Sequence, residues 1–138
     1  MFKERPQAYL ALPPADAASK GLANQIREVL ESQGIDAFEP AQMSAGSSWS
    51  DQTQGAIREA EVVVADLTGM NPSVLFDVGI ALGLRKPVLL LSQEPAKNLP
   101  LNLRAYQVAV YRPDDLATVR RYVELWLDDV RGRRGSLT

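Results

Sequence analysis

The feature that most constrains this chain is an alternation of two kinds of segment. Short apolar runs without polar interruption, above all Val62-Val63-Val64-Ala65 and Val88-Leu89-Leu90-Leu91, are separated by stretches whose apolar residues recur every three or four positions. An uninterrupted run suits a strand buried on both faces, and parallel strands need helical crossovers between them. Ala8 to Leu12 is the first run, closed by Pro13-Pro14, after which Leu22, Ile26, Val29 and Leu30 mark a helix ending near Gly34. Ile35 to Phe38 reads as a second strand stopped by Pro40, and a Ser-rich loop, 44–50, leads to a helix around Gln52 to Ala60. Asn71-Pro72 supplies an N-cap and a first-turn proline for a helix carrying Val74, Leu75, Val78 and Leu82, which Lys86-Pro87 ends. The connection 94–104 leads to a last strand, Gln107 to Tyr111, and a final helix carries Leu116, Val119, Val123 and Leu127. The pattern predicts an α/β fold: a single flavodoxin-like or Rossmann-like three-layer domain whose five parallel strands, in the order 2-1-3-4-5, have helices on both faces.

At 138 residues and 46% hydrophobic content, one core is expected over residues 1–138, with the basic segment 131–138 read as a flexible, solvated tail. The absence of His and Cys rules out imidazole bases, thiolate nucleophiles, disulfides and the usual zinc sites, and no metal or cofactor is expected. A net charge of -2 gives no basic field for a nucleic-acid backbone, so nucleic acid is not expected as a partner. The N-terminus lacks the apolar core of a signal peptide and every apolar run is too short for a bilayer, so a cytoplasmic protein without membrane contact is expected.

In open sheets of this order, ligands bind beyond the carboxyl ends of the strands where the winding reverses, here between the first and third strands. The loops at that point are Leu12 to Asp16 and Asp66 to Asn71. Asp66-Leu67-Thr68-Gly69-Met70-Asn71-Pro72 runs into a helix N-terminus whose free amides suit a phosphate or carboxylate; equally, Asp66, Thr68 and Asn71 can be simple turn and helix caps. Asp77 interrupts an otherwise apolar helix about a turn and a half from its start, with Ser73 on the same face and Gly79 allowing close approach. A purely structural Asp77 would pair with Arg85, Arg104 or Arg58, or face water. Ser92-Gln93-Glu94 ends the fourth strand on the same edge, and Trp49 and Asp51 lie in the loop before the second helix, Trp49 as a cover for the core or a platform for a base. Neither a GxGxxG nor a Walker lysine pattern is present, which argues against a nicotinamide dehydrogenase or an NTPase.

The segments Tyr9-Leu10-Ala11-Leu12-Pro13, Phe38-Glu39-Pro40 and especially Ala65 to Ala81 resemble the nucleoside 2-deoxyribosyltransferase-like superfamily, which also includes nucleotide N-glycosidases and TIR-like nucleotide-binding domains. Leu99-Pro100-Leu101-Asn102-Leu103-Arg104 is similar to a segment of the TIR-like branch. The resemblance implies a flavodoxin-like sheet and a carboxylate nucleophile at the anomeric carbon of a nucleoside. It places that role on Asp77 of Asp77-Val78-Gly79, where the family carries glutamate in a Glu-X-Gly step, and matches Asp51 to an acidic residue near the second helix and Tyr9 to a first-strand aromatic.

Two functions follow. In the first, the protein cleaves or transfers an N-glycosidic bond of a nucleoside or nucleotide, NAD among the candidates. Asp77, Asp51 and Tyr9 are then the catalytic residues, and Leu12, Pro13, Trp49, Asp66, Thr68, Gly69, Asn71, Ser73, Gly79, Ser92 and Gln93 contact ligand, the 68–73 loop holding a phosphate. In the second, motivated by the shorter Asp77, the crevice belongs to a non-catalytic nucleotide-binding sensor or TIR-like interaction module. A reacting group displaced by about 1 Å can lose about 100-fold in rate. A phosphorylatable receiver domain shares the fold but needs an acidic pair after the first strand and a Lys after the last, where this chain has Pro13-Pro14 and Arg112-Pro113. Apolar positions from Leu116 to Trp126 suit a homodimer or higher homo-oligomer.

Overall fold

Strand burial decides the layering. In a computed structural model, which describes residues 5–14, 17–40, 49–95 and 106–134, every residue of Val62–Asp66 is buried. This strand, β3, lies between β1 (Gln7–Ala11) and β4 (Val88–Ser92), while β2 (Asp36–Phe38) and β5 (Val108–Val110) form the edges. All pairs are parallel and the order is β2-β1-β3-β4-β5, as the alternation predicts. Tyr9 sits opposite Phe38 on one side and Val63 on the other, and Ala11 opposite Ala65, so the carboxyl ends of β1, β2 and β3 share one edge of the sheet.

Four helices cover the two faces: α1 (Ala17–Ser32), α2 (Trp49–Glu59), α3 (Pro72–Gly83) and α4 (Leu116–Arg134). Leu22, Ile26, Val29 and Leu30 of α1 pack with Val119, Val123, Leu127 and Val130 of α4 against Leu10, Val62, Val64 and Leu91. Ile57 of α2 and Val74, Val78 and Ala81 of α3 pack on the other face against Tyr9, Val63, Ala65 and Leu90. The chain moves outward from β1 to β2 and back across β1 to β3. With right-handed crossovers this reversal puts α1 and α2 on opposite faces and opens a crevice between the carboxyl ends of β1 and β3.

Local chemistry closes the elements where the sequence indicates. Gly34 ends α1 with φ +82°, and Ile35 returns its N–H to the Leu30 carbonyl at 2.9 Å. Two boundaries differ from expectation. Trp49 belongs to the first turn of α2 rather than to the loop before it. The basic segment at 131–134 is helical: α4 runs to Arg134, and Arg131 donates to the Gln33 side chain at 2.7 Å and its carbonyl at 2.8 Å, because the guanidinium caps the exposed end of α1. No helix among the described residues is long and apolar enough to cross a membrane.

Candidate functional site

At the crevice the chain forms a cavity of about 290 Å³, lined by Leu10, Leu12, Pro13 and Pro14 from β1 and its exit, Glu39 and Pro40 after β2, and Asn71, Ser73, Val74 and Asp77 from the start of α3. The helix begins here for plain reasons. Asn71 takes an extended conformation, its Oδ1 accepts from the amides of Ser73 at 2.9 Å and Val74 at 3.2 Å, and Pro72 occupies the first helical position, where no N–H is needed. Asp77 follows at the level of the buried turn, on the wall of the cavity.

Asp77 is 7% exposed. Its Oδ2 accepts a 3.0 Å hydrogen bond from the Tyr9 hydroxyl, which rises from the middle of β1, and the Thr53 side chain, buried on α2, favours the ionised form of that hydroxyl. Tyr9 and Asp77 thus form a relay of two side chains between β1 and α3. Burial pushes the Asp77 carboxyl above its ordinary range, and the Tyr9 hydrogen bond offsets part of that rise. Tyr9 is pushed far up, first by burial and then by the adjacent carboxylate, so its hydroxyl remains a donor at every physiological pH. Two of the expected arginine partners are not used: Arg58 and Arg85 lie exposed, Arg104 falls outside the described residues, and among the described residues Asp77 has no ion-pair partner. The Tyr9 hydroxyl meets the carboxylate at Oδ2, and the Asp77 side chain also lines the cavity.

Across the cavity, Glu39 is held by Arg27 of α1, whose Nη2 donates to its Oε2 while Nη1 donates to the Ala37 carbonyl at 3.2 Å. Tyr9 also packs obliquely on Phe38, with ring centroids 6.0 Å apart, which ties the end of β2 to the relay.

Of the residues singled out in the sequence, Leu12, Pro13, Asn71, Ser73 and Asp77 meet at this cavity, with Tyr9 directly behind. Asp66, Thr68, Gly69, Ser92 and Gln93 form a separate polar knot over the ends of β3, β4 and β5. Asp66 accepts from the Thr68 amide at 3.1 Å, the Thr68 hydroxyl at 2.6 Å and the Tyr111 hydroxyl at 2.8 Å. Thr68 accepts from the Gln93 amide at 2.9 Å, Glu94 accepts from the Gly69 amide at 3.0 Å, and Ser92 accepts from the Glu94 amide at 2.9 Å. Tyr111, pushed up to about 12 chiefly by burial, closes the knot. The loop expected to cradle a phosphate therefore spends the amides of Thr68, Ser73 and Val74 on its own side chains, that of Gly69 on Glu94 after β4, and that of Met70 on the Leu67 carbonyl at 2.9 Å. Gly79 is exposed on the outer side of α3 with nothing within 4 Å of an added Cβ, so no close approach occurs there. Asp51 lies exposed in the first turn of α2; the side chain of Trp49, most of the 44–50 loop and the 99–104 segment are outside the described residues.

Three contributors were missed from sequence: Glu39, Thr53 and Tyr111. Thr53 carried a signal, since with Ile57 and Ala60 it makes an i, i+4, i+7 buried stripe in which it is the one polar member. Glu39 is flanked by Phe38 and Pro40 at the carboxyl end of β2, beside the switch point.

The family model for nucleoside 2-deoxyribosyltransferase matches residues 8–125, and the chain belongs to that family. No curated protein matches the chain in sequence. Among solved structures, the fold is similar to a 2-deoxyribosyltransferase from Bacillus psychrosaccharolyticus (20% identity, 84% of this chain and 91% of that one, TM-score 0.64). It is also similar to a CMP N-glycosidase from Clostridium botulinum (20% identity, 84% of this chain and 98% of that one, TM-score 0.63). The TIR domain of a Toll-related receptor from Hydra magnipapillata is a third match (16% identity, 90% of this chain and 97% of that one, TM-score 0.70).

Proposed function

We propose that the crevice binds a nucleoside or nucleotide and that Asp77 acts on its N-glycosidic bond. The observation that carries this reading is the Asp77 carboxylate, buried on the wall of a cavity at the switch point and aimed by the Tyr9 hydroxyl at 3.0 Å. A structural carboxylate would gain more from a cation or from water than from a desolvated wall, and acids shifted by burial beside a cleft are candidates for chemistry.

In this reading Asp77 Oδ1 forms a bond to the anomeric carbon as the C–N bond breaks. The base leaves with the bonding pair and takes a proton from solvent, and the glycosyl ester is opened by water or a second base with net retention. Tyr9 holds Oδ2 so that the other oxygen meets the sugar. Asp77 must be ionised to attack, so base release rises with pH through the raised carboxyl value.

A second reading, favoured by the side chain one methylene shorter than the family glutamate and by the similarity to a TIR domain, is binding without turnover at the same site. Chromatography of free base after incubation with a panel of nucleosides, monophosphates and NAD separates the two. Release by the parent and its loss in Asp77→Asn support catalysis; undiminished release by Asp77→Asn removes Asp77 from the chemistry. Calorimetric binding without release supports the second reading.

A further inference from the structure

We propose that a basic pocket between the ends of α3 and α4 binds the phosphate group of a small phosphorylated molecule, independently of what the Asp77 cavity takes. Each helix runs back against the parallel strands, so the carboxyl ends of α3 and α4 lie at the amino edge of the sheet, opposite the Asp77 cavity. There Arg85 and Lys86 after α3, Pro87 before β4, and Val130 and Arg133 of α4 line a cavity of about 350 Å³. Three of these five residues are cations, and Pro87 and Val130 add apolar surface.

Arg85 is the member that local structure does not explain. The turn after α3 is closed by the Arg85 amide on the Leu82 carbonyl and the Lys86 amide on the Ala81 carbonyl, both at 3.0 Å. Arg85 follows the C-cap Leu84 with φ +59°, a left-handed position that glycine takes without strain and a side chain resists. Cations at helix ends ordinarily offset the dipole and cap carbonyls, and two neighbours do so. Lys86 Nζ donates to the Arg58 carbonyl in the last turn of α2 at 2.7 Å, and Arg131 donates to the Gln33 carbonyl beyond α1 at 2.8 Å. Arg85 is exposed and forms no ion pair among the described residues. A strained backbone that holds a cation on the wall of a cavity points to a ligand there.

Two guanidinium forks and an ammonium group suit a phosphate, whose oxygens accept from several donors at once. Arg133 gives one nitrogen to Asp129 at 2.6 Å, in a pair whose side chains are 69% and 63% exposed; water screens it, and the other N–H groups of Arg133 remain available. The net charge of -2 supplies no extended basic field for a nucleic-acid backbone, and a cavity of about 350 Å³ is the scale of one small ligand. A phosphate ester or a diphosphate meets both conditions.

Inorganic phosphate and pyrophosphate are the probes, each compared with sodium chloride of matched ionic strength on the full chain. Amide NMR shifts locate the binding and give its affinity, and thermal melting compares the parent with Arg85→Gly and Arg133→Gln. Pyrophosphate is expected to move the amides of 84–86 and 130–133, to leave those of 73–74 at the Asp77 cavity in place, and to raise the parent Tm saturably. Without phosphate, Arg85→Gly should melt roughly 3 °C above the parent because the left-handed strain is gone. It should nevertheless bind pyrophosphate about fivefold or more weakly, and Arg133→Gln should weaken binding by a similar factor. A loss of structure cannot produce a variant that is more stable and binds less. Absence of shifts in the parent overturns the proposal, as do shifts confined to 73–74 or undiminished binding in either variant. Base release at Asp77 is untouched by any of these outcomes, so the two sites stand or fall separately.

Discussion

Tyr9→Phe deletes one oxygen from a fully buried ring and removes the donor of the relay. The Tyr9 hydroxyl donates to Asp77 at 3.0 Å, and Tyr9 is 0% and Asp77 7% exposed. A hydrogen bond to an ionised acceptor contributes about 1.5–3 kcal/mol and one to a neutral acceptor about 1 kcal/mol. The substitution should therefore cost about 2 kcal/mol where Asp77 is ionised and about 1 kcal/mol where it is protonated. For a chain of this size each kcal/mol moves Tm by roughly 3–4 °C, so the expected losses are roughly 7 °C and 3–4 °C.

The sign of the pH dependence follows from burial. The folded Asp77 carboxyl lies above its ordinary 3.8, so the native state binds the proton more tightly than the unfolded chain. The contribution of Asp77 to stability is fully present below the unfolded value and is lost as pH rises through the native value. Tyr9→Phe removes the interaction that lowers the native value, so the loss deepens and extends to higher pH. Asp77→Asn abolishes the titration: this part of the slope disappears, and Tyr9→Phe in that background costs about 1 kcal/mol at every pH. Thermal melts followed by circular dichroism from pH 4 to pH 8 on the parent, both single variants and the double variant measure all of this. A Tyr9→Phe protein melting within about 2 °C of the parent at pH 7, with a parallel pH curve, would refute the relay.

Asp66→Ala strands the Tyr111 hydroxyl and the Thr68 hydroxyl and amide over the strand ends, and should cost about 3 kcal/mol in urea denaturation, with Tyr111→Phe costing about 1 kcal/mol. Gly69 has φ +77° with open space around an added Cβ, so Gly69→Ala is penalised by backbone strain alone, about 1 kcal/mol by the same measurement. Asn71→Ala removes the cap of α3, costs about 1 kcal/mol, and frees two amides at the cavity; calorimetry should show its affinity for monophosphates rising relative to the parent. Ile26→Ala empties a fully buried position between α1 and α4 and should cost about 2–5 kcal/mol.

The order of elements was legible because its signals are local. An unbroken Val62-Val63-Val64-Ala65 cannot tolerate an exposed face, Asn71-Pro72 can start a helix without help from elsewhere, and Gly34 accepts a positive φ that a side chain resists. From that order, crossover handedness alone places the crevice between β1 and β3 and so brings Asp77 and Leu12 to one place. Arg131 differs from expectation for the opposite reason. Arg131 looks like solvated charge until α1 supplies Gln33 to bind it, a partner 98 positions away.

The same limit separates the two roles of the polar residues at the sheet edge. Composition and spacing by themselves determined the three-layer fold, the edge that carries the site, and a carboxylate on α3 without histidine, cysteine or a phosphate-binding fingerprint nearby. Only the tertiary structure decided which of the flanking polar groups face the cavity and which satisfy one another. Asp66 and Asp77 are alike in sequence, each acidic among apolar neighbours. Asp66 meets Thr68 and Tyr111 and is consumed by them, whereas Asp77 meets one hydroxyl and lines the cavity. Hydrogen-bond capacity is finite, and its distribution depends on partners 45 and 68 residues away that no local pattern records.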